Sequence, residues 1–87
     1  MFYSIVLSPA ARKALERLPA EIHNRITTRI SALAEDPRPP GAAALQGVKG
    51  ELRLRVGDYR IIYQVQDESQ VIRVVKIGHR SEIYRKR

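Results

Sequence analysis

The segment Glu51-Leu52-Arg53-Leu54-Arg55-Val56 alternates a charged residue with an apolar one through six positions. Only a β-strand, whose successive side chains point to opposite faces, sorts such a pattern, so the segment predicts a strand with one buried face and one cationic face. Gly57-Asp58 then offers a tight turn, and Tyr59 to Val65 continues as a second strand, giving a hairpin. A third strand over Val71 to Ile77 follows the polar turn Asp67-Glu68-Ser69-Gln70. A sheet that keeps one face wet must bury the other under something else.

The cover is found in the N-terminal half. Phe2-Tyr3-Ser4-Ile5-Val6-Leu7 has the β-branched and aromatic content of a strand and stops at Ser8-Pro9, an N-cap followed by a proline at the first helical position. Ala11, Ala14, Leu15 and Leu18 then recur on one helical face until Pro19 ends the helix. Ile22, Ile26, Ile30 and Leu33 mark a second apolar stripe, broken at Glu35-Asp36-Pro37. Residues 36 to 48, with Pro37, Pro39, Pro40, Gly41 and Gly47, read as an ordered connecting loop without regular structure. The order predicts one α+β domain over residues 1–87: an N-terminal strand, a two-helix hairpin and a three-stranded antiparallel meander, the helices packed on one face of a mostly antiparallel sheet.

A chain of 87 residues closes a single core, and without cysteine it has neither disulfides nor a thiol nucleophile. Neither a signal peptide nor a membrane-length apolar run is visible, so a cytoplasmic location is expected. The net charge of +7 is uneven. Residues 1–48 carry six Lys or Arg against four Asp or Glu, and residues 49–87 carry ten against five. A basic C-terminal half predicts a polyanionic partner without naming a reaction.

Two groups of residues could carry chemistry. Arg53 and Arg55 share a strand face, and Arg60 can sit beside them across the hairpin; clustered guanidiniums on a rigid sheet bind phosphate and stabilise a pentacoordinate phosphorane. The alternative is a solvated strand face. His79-Arg80-Ser81-Glu82-Ile83-Tyr84 joins a side chain that titrates near neutrality to a cation and an aromatic that could stack on a splayed base. There too a structural role for His79 and packing for Tyr84 stay open. Tyr59 and Tyr63 share a side with Ile61 and Val65 and are assigned to packing. No His/Asp/Glu cluster has metal-ligand spacing, so neither metal nor cofactor is expected.

The run from Leu52 to Tyr63, followed by Ile77-Gly78-His79-Arg80 and Glu82-Ile83-Tyr84, closely resembles the RelE branch of the RelE/ParE toxin superfamily. The resemblance implies a toxin of a type II toxin–antitoxin system that cleaves mRNA in the ribosomal A site without a metal and is silenced by an acidic antitoxin. It also implies catalytic roles for Arg53, Arg60, Arg80 and Tyr84. Arg55 matches a further basic family position, and with Lys49, Lys76 and Arg85 it is assigned to contacts with mRNA or 16S rRNA. Glu51 stands where a well-studied member has a lysine, which leaves proton transfer open among Glu51, Arg53, His79 and Arg80, with Glu51 and His79 as added candidates. The competing reading is a ParE-like inhibitor of DNA gyrase that performs no chemistry.

Overall fold

The computed structural model describes residues 2–45 and 50–83. The chain forms β1 (Ser4–Leu7), α1 (Pro9–Glu16), α2 (Ala20–Leu33), β2 (Ala43–Ala44), β3 (Glu51–Val56), β4 (Tyr59–Gln66), β5 (Val71–His79) and α3 (Arg80–Ile83). The five strands make one sheet in the order β1-β5-β4-β3-β2. Strands β2 to β5 pair antiparallel with their neighbours, and β1 runs parallel to β5, so the sheet is mixed.

Local chemistry explains the helical hairpin. Ser8 caps α1 by accepting the Ala11 N–H at 3.0 Å, and Pro9 occupies the first turn, where no N–H is needed. Pro19 separates the helices, and α2 then buries Ile26, Ile30 and Leu33. These meet Leu54 and Val56 of β3, Ile61 and Tyr63 of β4, and Ile72, Val74 and Ile77 of β5 in a single core. Each such side chain stabilises the fold by about 1.5–3 kcal/mol when fully withdrawn from water.

Three features differ from the sequence-based expectation. The loop over residues 36 to 48 contains a two-residue strand, β2, because the free edge of β3 supplies hydrogen bonds that Ala43-Ala44 could not signal alone. The third strand, expected to end at Ile77, instead continues to His79, and a helical turn follows that buries Ile83. Finally, β5 carries a bulge: Ile62 faces Lys76 while Tyr63 faces Val74, leaving Val75 as the extra residue. Ser8 Oγ donates to the Val75 carbonyl at 2.8 Å, so the α1 cap also satisfies the bulged backbone.

The bulge decides which side chains face which way. Uninterrupted alternation after Ile72 and Val74 would send Lys76 into the core. One extra residue restores Ile77 to the core and turns Lys76 outward.

Candidate nucleic-acid interface

The β3–β4 hairpin turns at Gly57-Asp58, where Gly57 takes φ +58 as the first central residue, a sign that L-residues rarely adopt. Its register places Arg55 directly opposite Arg60 and Arg53 opposite Ile62, with Glu51 opposite Gln64. Across β4 the rows continue to Gly78, Lys76 and Arg73. The face away from α1 and α2 therefore bears Arg53, Arg55, Arg60, Arg73 and Lys76 on three adjacent strands. Arg53, Arg55 and Arg60 thus share one sheet face.

Arg60 differs from its neighbours. It is 8% exposed, and its Nη1 donates to the carbonyls of Gly57 at 3.3 Å and Tyr59 at 3.1 Å. Arg53 is half-buried and Arg55 exposed. The C-terminal turn lies on the same face. Gly78 stands opposite Arg60, and a Cβ at Gly78 would lie 3.3 Å from Ile83 Cδ1, so Ile83 folds back over this same face. Lys76 Nζ reaches the Ile83 carbonyl at 3.4 Å and holds the end of that turn. Among the described residues the partners of this buried guanidinium are carbonyls and no carboxylate offsets its charge, which favours an anion nearby.

The proton-transfer candidates stand apart. Glu51 is half-buried on the cationic face and accepts the Gln64 Nε2–H at 3.2 Å. His79 pairs with Tyr59, on the helix-covered side, and their rings meet edge to face at 5.4 Å. Its Nδ1 accepts the Ser81 N–H at 3.1 Å and lies 2.8 Å from Ser81 Oγ, so the neutral ring carries its proton on Nε2. A cavity of about 390 Å³ opens beside His79, lined by Arg17, Tyr59 and Glu82 among others. Arg80 is exposed, and its N–H is anchored to the Asp58 carbonyl at 2.8 Å, tying the start of α3 to the hairpin turn. Lys49, Tyr84 and Arg85 lie outside the described residues.

Tyr59 and Tyr63 fall on the packing side, as their spacing indicates. Tyr63 is wholly buried and donates to the Pro37 carbonyl at 2.8 Å, and burial pushes its hydroxyl up to about 12. One cation escaped the sequence reading. Arg29 of α2 joins Arg53 and Arg55 around a cavity of about 300 Å³ at the outer edge of β3. Arg25 and Arg29 are four residues apart and so share a side of α2, but nothing in their spacing says which strand they meet. Among the described residues no group of three or more His, Asp or Glu side chains could hold a metal ion. Nor is any helix among them long and apolar enough to cross a membrane.

The model of the family described as ParE toxin of type II toxin–antitoxin system, parDE, matches residues 5–84. Toxin RelG of Mycobacterium tuberculosis is 28% identical over 87 residues, spanning 99% of this chain and 100% of that protein. The mRNA interferase toxin RelE of Escherichia coli is 31% identical over 88 residues, spanning 97% and 92%. Among solved structures, the archaeal RelE–RelB complex from Pyrococcus horikoshii matches with a TM-score of 0.81 at 30% identity, covering 94% of this chain and 99% of that one. The isolated Escherichia coli RelE toxin matches with a TM-score of 0.78 at 27% identity, covering 94% and 90%. With a strand, a helical hairpin and a basic hairpin face in this order, and with that family matched over nearly its whole length, the chain belongs to the RelE/ParE family of type II toxin–antitoxin toxins.

Proposed function

We propose that this toxin is a metal-independent endoribonuclease that cleaves mRNA in the ribosomal A site and thereby stops translation in the cytoplasm. The observation that carries the reading is the row of Arg53, Arg55 and Arg60 held in register on one sheet face, with Arg60 buried and lacking an ion-pair partner among the described residues. Relatives named mRNA interferase, at 31% identity, support the same reaction class.

In the reaction, the 2′-hydroxyl loses its proton and attacks the adjacent phosphorus. The P–O5′ bond breaks, and the leaving 5′-oxygen takes up a proton. Arg53 and Arg60 stabilise the additional negative charge on the pentacoordinate phosphorus, a role that rigid placement on a sheet favours. Arg80 supplies further charge at the leaving group, and Tyr84 stacks on the substrate base. Arg55, Lys49, Lys76 and Arg85 hold the phosphate backbone of mRNA or 16S rRNA. Glu51 and His79 are the proton-transfer candidates. Glu51 shares the cationic face, whereas His79 sits on the other side of the sheet, beside Tyr59. An acidic antitoxin covering the basic face is the expected partner, in keeping with the solved RelE–RelB complexes.

Expression of the toxin with mapping of mRNA 5′ ends tests the reading. Codon-phased breaks are expected, and loss of those breaks in Arg53→Gln ties them to this site. Intact mRNA accompanied by DNA damage would instead favour the gyrase inhibitor, a reading kept in view by the ParE description of the matched family. Glu51→Gln and His79→Ala test these two residues as base and acid. Undiminished cutting in either variant removes that residue from the mechanism.

A further inference from the structure

The cationic character of the molecule does not end at the sheet face. β2 pairs only with Leu52 and Arg53, so the outer edge of β3 from Leu54 to Val56 has no strand beside it among the described residues. The Leu45 N–H donates to the Glu51 carbonyl at 2.9 Å, which sets the parity of that edge. Glu51, Arg53 and Arg55 turn their backbone groups outward, and Arg55 lies past the end of β2. At this gap Arg29 rises from α2, and Gly41, at φ +97 and with open space where a Cβ would stand, leaves the opening clear. The result is the cavity of about 300 Å³ lined by Arg29, Gly41, Arg53, Leu54 and Arg55. Among the described residues none of its three arginines forms an ion pair.

We propose that Arg29, Arg53 and Arg55, at the open edge of β3, form a second phosphate-binding site that grips the RNA backbone next to the phosphate held on the sheet face. The proposal rests on the ribonuclease reading and assigns Arg29 a positioning role. Three arginines bordering one notch, none with a carboxylate partner among the described residues, suit an anion, and planar guanidinium forks suit phosphate oxygens in particular. A polymer of phosphodiesters fits better than an isolated ion. Arg53 and Arg55 belong both to this notch and to the face that carries Arg60, and two residues of strand separate them by about 6.7 Å. Their spacing is on the scale of consecutive phosphates in an extended strand, so one backbone can pass from the notch onto the face.

The test uses the full chain and a 2′-O-methylated single-stranded RNA oligonucleotide, which binds but cannot be cut, with affinity measured across a salt series. Cleavage on mRNA-programmed ribosomes is measured in parallel. Arg29→Ala is expected to weaken binding about five- to tenfold near physiological salt and to reduce the slope of log affinity against log salt by about 0.7, the loss of one phosphate contact. Arg29→Lys is expected to keep the slope, because the charge remains, while recovering only part of the affinity. Unchanged affinity and slope in Arg29→Ala, with a wild type that binds and cleaves, would overturn the notch and leave the ribonuclease reading standing. A wild type that neither binds nor cleaves would overturn both. An Arg29→Ala protein that loses affinity for an acidic antitoxin peptide but not for the RNA would also overturn the proposal, making the notch a protein-docking site.

Discussion

On one face of β3 and β4, Leu54, Ile61 and Tyr63 are sealed beneath α2; on the other, alternate residues of the same strands present Arg53, Arg55 and Arg60. The two faces share one backbone and so one register. A slip of one residue would exchange every side chain between them, driving arginines into the core. Apolar packing on the first face thus holds the charges of the second in place. The difference is also one of tolerance. The core face can lose little volume without losing the fold, while the basic face can lose charge and remain folded.

Substitutions on each side of the sheet can break or sharpen this division. The largest effect is expected from Ile26→Ala, which empties a site with no exposure under the sheet. A loss of about 2–5 kcal/mol in urea-unfolding free energy should follow, with cleavage falling only as the folded fraction falls. If cleavage dropped in a variant of unchanged stability, the two faces would not be separable. Next comes Arg53→Gln, expected to lower ribosomal mRNA cleavage about 10²-fold while moving unfolding free energy by no more than about 0.5 kcal/mol.

Tyr63→Phe addresses the seam between core and connecting loop. Loss of the bond to Pro37 should cost about 1 kcal/mol at neutral pH. The folded state holds the Tyr63 proton more tightly than the unfolded chain, about 12 against 10.0. Its contribution is therefore complete below pH 10 and lost as pH rises from there toward 12, and denaturation midpoints across that range should fall less steeply in the Phe variant.

The smallest effect belongs to Asp67→Asn. Hydrogen bonds from Arg38 and Tyr3 hold the Asp67 carboxyl below its ordinary 3.8, so its contribution is present above that value and fades as pH falls beneath it. The pair is exposed, at 3.0 Å. A slight fall in thermal midpoint at pH 7 is expected, vanishing in high salt and in acid.

The period-two pattern of Glu51 to Val56 determined, without any structure, that β3 has a cationic face and an apolar one. Gly57-Asp58 determined that Arg60 returns beside Arg55, since a two-residue turn leaves no other register. The helical spacing of Ile22, Ile26, Ile30 and Leu33 likewise named the stripe that covers the sheet. These features are local, resting on side-chain period and turn geometry within a few residues. Other features needed the assembled molecule. The bulge at Val75 shifts the parity of β5 and thereby puts Lys76 on the basic face and His79 with Tyr59 on the opposite one, whereas unbroken alternation implies the reverse. Ile83 folds back over Gly78 on the face that carries Arg60, and the packing of α2 brings Arg29 to the edge of β3. Each of these depends on contacts between segments distant in the chain, and such contacts are settled by how the whole core packs.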